Sequence, residues 1–174
     1  EAAQTMPGWV KELDGEHVPE TEEYGLTSFT YRARRPFHPR RFWTFFQSEW
    51  PGVLRAKGFF WLATRDSMIG ELSQAGRMRE QRPVGYWWAS MPEEEWPEDP
   101  ARQERILDRW EEDYGDRQQE LVFIGVDVEE AEMRSKLDAC LMTADEEEAY
   151  LDDPSSVSDP FPPWQPTMPQ HRHN

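Results

Sequence analysis

The sequence predicts an α+β fold in which one sheet carries helices on one of its faces. Two observations lead to this prediction. Strand-like and helix-like patterns follow one another in the order strand, helix, three strands, helix, strand, helix. The 174 residues suffice for one ordinary domain, and nine Trp, nine Phe and five Tyr concentrate its apolar area in large side chains. A single packed core is therefore expected.

The domain is predicted to begin near Tyr24. Residues 1–23 are polar and interrupted by Pro7 and Pro19, which is typical of a linker. Phe29 and Tyr31 then alternate with polar residues, which predicts a half-buried strand over residues 26–34.

A helix is predicted to begin at Pro39, because proline suits a first helical turn whose N–H groups have no partner. Pro51 ends its pattern. The aromatic residues between these prolines recur at helical spacing, namely Phe42, Phe45, Phe46 and Trp50.

Three strands are predicted next, over residues 53–64, about 68–78 and 84–91. Asp99 as N-cap and Pro100 at the first position then predict a helix that Gly115 ends. Its apolar stripe consists of Ile106, Leu107, Trp110 and Tyr114.

The last strand is predicted over residues 118–126. Two capping-box patterns follow, and each predicts a helix start: Asp127 with Glu130, and Thr143 with Glu146. Residues 24–151 thus form the predicted domain. Residues 152–174 are rich in proline and are expected to be mostly extended or disordered.

Four of the strands and the first two helices match a split β-α-β arrangement with an extra strand and a C-terminal helix. The predicted fold is therefore ferredoxin-like, with helices packed on one sheet face. Since helices cover that face, Leu54, Phe60 and Leu62 are expected beneath them.

Charge excludes several classes of partner. A formal charge of −16 repels phosphate, and the 19 basic residues form no run that would neutralise it, so no nucleic acid and no anionic membrane is expected as partner. No apolar stretch approaches the ~20 residues of a membrane span. The polar start is no signal peptide, so a cytoplasmic location is expected. The single cysteine, Cys140, lies in an apolar run and is expected to be buried and inert.

Several stretches in order resemble the C-terminal domain of CobW-type metallochaperone GTPases, over about residues 18–164. The stretches are PETEEYG at 19–25, RRPFHP at 34–39, PGVLRAKGFFWLATR at 51–65, QQELVFIG at 118–125 and LDACL at 137–141. Their joint occurrence in this order, with AKGFFWLAT at the centre, makes the resemblance specific. The likeness is strongest to the branch linked to zinc homeostasis.

This resemblance implies a non-catalytic accessory domain of a metal-delivering GTPase. It implies as partners the GTPase domain of the same polypeptide and a client metalloprotein, and it leaves a homo-oligomer open. The resemblance implies GTP and zinc or cobalt for the full-length protein and no cofactor in this chain, because the family's phosphate-binding loop and its Cys-x-Cys-Cys motif do not occur here.

Histidines and carboxylates are the candidate metal-binding or acid–base residues of this sequence. His171 and His173 could hold a metal weakly near the chain end, the alternative being a solvated tail. His38 is expected to shape the start of a helix. Abundant carboxylate runs carry no specific acid–base pair, since runs on polar helix faces are solvated.

An interaction surface is predicted on the strand at 53–64. Arg55, Lys57, Phe59 and Trp61 leave the same face, and a basic spot beside aromatic residues in an acidic protein suits an acidic docking partner. The alternative is ordinary cross-strand pairing. Phe161 and Trp164 of the tail are expected to cover the two aromatics.

Two other functions compete with the accessory role. One is a free-standing protein-interaction module with the same fold. The other is a small hydrolase that uses scattered acids.

Overall fold

The computed structural model describes residues 25–165. It contains five strands: β1 (Leu26–Ala33), β2 (Val53–Phe60), β3 (Met68–Ala75), β4 (Met78–Tyr86) and β5 (Gln119–Val126). It contains four α-helices: α1 (Pro39–Gln47), α2 (Pro100–Asp108), α3 (Glu130–Asp138) and α4 (Ala144–Asp152). The predicted linker of residues 1–23 and the end of the tail, residues 166–174, lie outside the described residues.

The strands form one sheet in the order β1-β5-β2-β3-β4, and all neighbours are antiparallel. Because β1 and β2 both run opposite to β5, they are parallel to each other, and α1 connects them. This is the predicted split β-α-β unit with the hairpin β3–β4 added at one edge. The predicted α+β class is confirmed.

The main core lies on the face of the sheet that carries α1 and α3, here called the inner face. Phe60 in β2 and Phe123 in β5 are fully buried there, as is Phe42 of α1, whose ring stacks on Phe37 with centroids 4.3 Å apart. Gly70 makes room for Phe60, because a Cβ there would lie 2.4 Å from its ring. Aromatic burial therefore supplies most of the apolar area that a chain with few aliphatic residues needs.

The alternation along β2 agrees with the prediction at Phe60 and Leu62, which are both fully buried. Leu54 differs, since it is 54% exposed. The pairing of β2 with β5 shifts between Val53 and Arg55, and such a bulge leaves one residue out of the alternation. Val53 takes the inward position instead.

Several strand boundaries differ from the prediction, among them the ends of β3, at Ala75 rather than residue 78, and of β4, at Tyr86 rather than residue 91. β2 ends at Phe60 rather than residue 64, because the side-chain amide of Gln119 bonds the N–H and the C=O of Trp61 in place of a further strand. β4 begins at Met78 rather than residue 84. Its inward residues Arg79 and Gln81 are polar, so no apolar alternation marks them in the sequence.

Helix α2 ends at Asp108, well before Gly115. Arg34 of the segment after β1 donates to the carbonyls of Arg109, Gly115 and Arg117, which holds the chain beyond α2 in a loop. The predicted helical stripe is therefore wrong, and Leu107 is 57% exposed.

The capping-box predictions had different outcomes. Thr143 and Glu146 form the reciprocal pair at the start of α4. Asp127 does not cap α3, whose N-cap is Glu129 without a side-chain bond. Asp127 instead lies in the turn after β5, with a positive φ of 51°, and its N–H donates to the carbonyl of Gly25.

Residues 157–165 have no helix or strand and form a strap across the inner face. Asp159 accepts bonds from Thr64 (2.6 Å) and Arg65 (2.9 Å), and Arg65 also donates to the carbonyls of Phe161 and Pro162. Phe161 is only 4% exposed. The anchored strap thus belongs to the core of the domain.

The strap lies on the opposite side from that expected. Phe161 and Trp164 pack against Phe60 on the inner face, with centroids 5.9 and 5.8 Å away, and do not cover Phe59 and Trp61. The reason is the position of Arg65, which stacks on Trp164 at 4.5 Å and fixes the path of the strap.

Replacing Phe161 by alanine should destabilise the domain by about 3–5 kcal/mol, because the ring leaves a cavity in the core. Urea unfolding followed by tryptophan fluorescence measures this. Leu151→Ala is the matched control, since Leu151 is 77% exposed and its truncation should change stability by no more than about 0.5 kcal/mol. A loss below about 1 kcal/mol for Phe161→Ala would show that the strap is dispensable.

His38 caps α1, because its Nδ1 accepts from the Arg41 N–H at 3.5 Å. The cap needs a neutral imidazole. Burial, followed by the positive charges of Arg41 and Arg40, lowers its pKa, while Glu146 of α4 opposes this shift. The unfolded chain therefore binds the proton more readily, so the stability from His38 is present above the unfolded pKa of about 6.5 and is lost as pH falls through the folded value.

His38→Asn keeps a capping oxygen but cannot titrate. Wild type should lose more stability than this variant as pH falls from 7.5 to about 5, by an amount below about 1 kcal/mol. Chemical unfolding at several pH values gives the difference between the two proteins. If that difference does not change with pH, the imidazole does not cap the helix.

Candidate interaction surface

The side of the sheet opposite α1 and α3 is here called the outer face. Arg55, Lys57 and Phe59 leave β2 toward it, since they alternate with the inward Ala56 and Phe60. Arg55 is exposed and Lys57 half-buried. The structure therefore places three of the four predicted surface residues on one accessible strip.

The strand neighbours of the two cations are neutral. Across β5, Arg55 is paired with Ile124 and Lys57 with Val122. Across β3, Lys57 is paired with Ser73, and Thr30 follows beyond Val122 on β1. Ordinary cross-strand ion pairing would require carboxylates directly opposite Arg55 and Lys57. The residues at those positions on β3 and β5 are not carboxylates. Sequence reasoning missed these neighbours, because only strand order places β5 beside β2.

Two carboxylates flank Phe59, and both bind arginine. Glu120 of β5 is 5% exposed and lies 3.4 Å from Arg32 and 3.6 Å from Arg109. Glu71 of β3 lies 3.1 Å from Arg82. Both carboxylates that flank Phe59 are therefore engaged by arginines of β1, β4 or the segment after α2.

Trp61 is not part of the accessible strip. It is 2% exposed, its ring packs edge-on against Tyr114 with centroids 5.2 Å apart, and it clusters with Ile69 and Trp87. Its indole N–H donates to Asp66 at 2.9 Å. The segment between β4 and β5 covers it, so the expectation that Trp61 is left for another segment or domain to cover is wrong.

The histidines and the cysteine were also examined as metal ligands. Within residues 25–165 no three His, Cys, Asp or Glu side chains converge in a way that could hold a metal ion. Cys140 is buried, and burial raises the pKa of its thiol to about 12, which keeps it protonated. The predicted tail ligands His171 and His173 lie outside the described residues.

Two tyrosine–carboxylate pairs have shifted pKa values. Burial and a 2.8 Å hydrogen bond to Asp138 raise the pKa of Tyr31. Burial also raises the pKa values of Tyr114 and Glu147, whose groups bond each other at 3.1 Å. Each pair joins a helix to a strand or loop, so its shift has a structural cause.

No helix among residues 25–165 is both long enough and apolar enough to cross a membrane. The described surface offers a mixed basic and apolar sheet face. Such a face suits a protein partner.

The sequence was compared with known families and proteins. The family model described as "Cobalamin synthesis protein cobW C-terminal domain" matches residues 26–141. The chain is 43% identical over 145 residues to the zinc-regulated GTPase metalloprotein activator 1 of Dictyostelium discoideum, covering 81% of this chain and 30% of that protein. It is 30% identical over 135 residues to a zinc chaperone of Mycobacterium tuberculosis, covering 77% of this chain and 34% of that protein.

Among solved structures, the chain is similar to the Zn(II)-bound YjiA GTPase from E. coli. The TM-score is 0.47 at 14% identity, over 73% of this chain and 33% of that one. This chain thus spans about a third of the length of the proteins it matches.

Proposed function

The chain belongs to the CobW C-terminal domain family, and we propose that it is the accessory domain of a metal-delivering GTPase, with no catalytic centre of its own. In this role it holds the GTPase domain of the same polypeptide or a client metalloprotein against its outer sheet face. The match of residues 26–141 to the family carries the proposal.

The charge of the outer face supports this role. The chain has a net charge of −16, yet Arg55 and Lys57 stand together among neutral neighbours on that face. A local positive spot on an acidic molecule orients an acidic partner, because the rest of the surface repels that partner. Half-buried Phe59 beside the cations adds apolar area at the same place.

The length of the relatives outside the matched region supports an interdomain partner. About two thirds of the zinc-regulated GTPase metalloprotein activator lies outside the matched region, whose match covers 30% of that protein. A GTPase domain of this size would lie next to the present one in a single polypeptide. Linkage in one polypeptide keeps the two domains at a high effective concentration near each other, so a small contact area is enough for them to associate.

The metal and the nucleotide belong to the rest of the proposed protein. The names of the two curated relatives mention zinc and, in one case, a GTPase, which favours zinc as cargo and GTP as the nucleotide. The proposed location of the protein is the cytoplasm. His171 and His173 are proposed as a weak metal contact in the tail, since two imidazoles alone do not complete a zinc site.

The double variant Arg55→Glu, Lys57→Glu should bind the GTPase half of the polypeptide at least about tenfold more weakly, because four units of charge change at the docking face. Calorimetry with the two halves as separate chains measures this. The melting temperature should stay nearly unchanged, since exposed charge pairs contribute about 0–1 kcal/mol.

Arg40→Glu, Lys136→Glu is the matched control, because both residues are exposed and lie on α1 and α3, the helices of the inner face. It changes the charge equally but should leave the affinity within about twofold. If both double variants weaken binding equally, overall charge and not the outer face is responsible.

Calorimetry of this chain alone should detect no GTP binding, because its sequence offers no glycine-rich loop with a following lysine and hydroxyl. Weak zinc binding should be measurable and should disappear when residues 170–174 are removed. A tight, stoichiometric zinc site that survives this deletion contradicts the assignment of metal contacts to the tail.

A further inference from the structure

A cavity of about 200 Å³ lies between α2, the residues that follow β4 and the residues that precede β5. We call it the arginine cavity. Its wall contains Trp87, Trp88, Ile106 and three arginines of α2 or its end, Arg102, Arg105 and Arg109. None of these residues belongs to the outer-face strip of Arg55, Lys57 and Phe59.

The three arginines recur three and four residues apart, so they follow one face of α2. Seven residues of helix rise about 10 Å, which sets the span of the array. Arg109 pairs with Glu120 at 3.6 Å, and Arg102 lies 4.0 Å from Asp99. Arg105 has no ion-pair partner among residues 25–165. The array therefore has guanidinium capacity beyond its internal pairs.

The cavity wall also contains two carboxylates, Asp108 and Asp116. Asp116 is 8% exposed and accepts the backbone N–H groups of Trp88 and Ala89, both at 2.9 Å. These bonds engage both oxygens of the Asp116 carboxylate and hold the Trp87–Trp88 corner. The buried indole N–H of Trp87, in contrast, has no acceptor within the described part of the chain.

Helix α2 is loosely attached. Ile106 is its one buried residue among nine, while Leu107 is 57% exposed and the following Trp110 is 37% exposed. A helix this short gains its stability from tertiary packing. The packing across the arginine cavity is incomplete, and a bound group that fills it would complete the burial of α2.

The cavity and its charges define the occupant. A volume of about 200 Å³ is below the roughly 300–1,000 Å³ of small-molecule sites, but it admits one apolar side chain. The guanidinium groups of Arg102 and Arg105, one helical turn apart, match two neighbouring carboxylates better than a single anion. Tryptophan and arginine are also the residues that dominate protein–protein binding energies.

We propose that the arginine cavity is a second docking site, which takes an acidic segment of a partner protein. One apolar side chain of that segment enters between the indoles and α2, and its neighbouring carboxylates bind Arg102 and Arg105. The site goes beyond the proposed outer-face contact, and its test requires neither GTP nor the GTPase half.

The test titrates this chain with the acetylated, amidated peptide Glu-Asp-Leu-Asp-Glu at about 0.15 M salt, which screens the overall negative charge of the protein. Tryptophan fluorescence reports binding at Trp87 and Trp88. Wild type should show saturable binding, and the peptide with Gln and Asn in place of its acids should bind at least about tenfold more weakly.

The variant Arg102→Glu, Arg105→Glu should lose at least about tenfold in affinity, whereas Arg77→Glu should stay within about twofold. Arg77 is an exposed arginine in the β3–β4 turn and serves as the control. The wild-type comparison of the two peptides decides the question even if the double variant unfolds. Failure to saturate by about 1 mM, equal binding of the neutral peptide, or an equal loss in Arg77→Glu overturns the proposal.

Discussion

The insertion of β5 between β1 and β2 is the constraint on which the domain depends. It pairs with both strands along its length, so neither the split β-α-β unit nor a continuous sheet exists without it. Its residues serve both faces, with Leu121 and Phe123 in the main core and Val122 beside Lys57 on the outer face. Core formation and the composition of the outer face thus follow from one pairing.

Polar side chains hold the irregular segments that the sheet brings together. Gln119 at the start of β5 bonds the backbone of Trp61 and Arg35, and Arg34 binds three loop carbonyls. Arg65 holds the strap in the same way. Where the bonded backbone group is buried or partly buried, as at Trp61 and Phe161, the bond satisfies a group that would otherwise be left unpaired at a cost in free energy. This explains how a chain with modest apolar content keeps long loops packed.

Arginine has two uses in this acidic molecule. Arg34, Arg65 and Arg79 act as internal tethers, and Arg79 also stacks on Trp50 with its guanidinium carbon 3.4 Å from the ring centroid. Arg55 on the outer face and Arg105 at the cavity stand instead at accessible places. The planar guanidinium suits both uses, because it bonds several oxygens at once and stacks on aromatic rings.

The sequence by itself determined the α+β class, the strand and helix order, the helix starts at Pro39, Pro100 and Thr143 with its Glu146 partner, and the direction in which Arg55, Lys57 and Phe59 leave β2. These features depend on local periodicity, proline geometry and capping, which act between residues close together in the chain. The tertiary structure decided the end of α2, the early start of β4, the outward turn of Leu54, the covering of Trp61 and the side on which Phe161 packs. Each of these depends on a partner far away in sequence, such as Arg34 for the loop after α2 and Arg65 for the strap. No local pattern specifies which distant segment will cover an apolar face, because that choice depends on how all the segments pack at once.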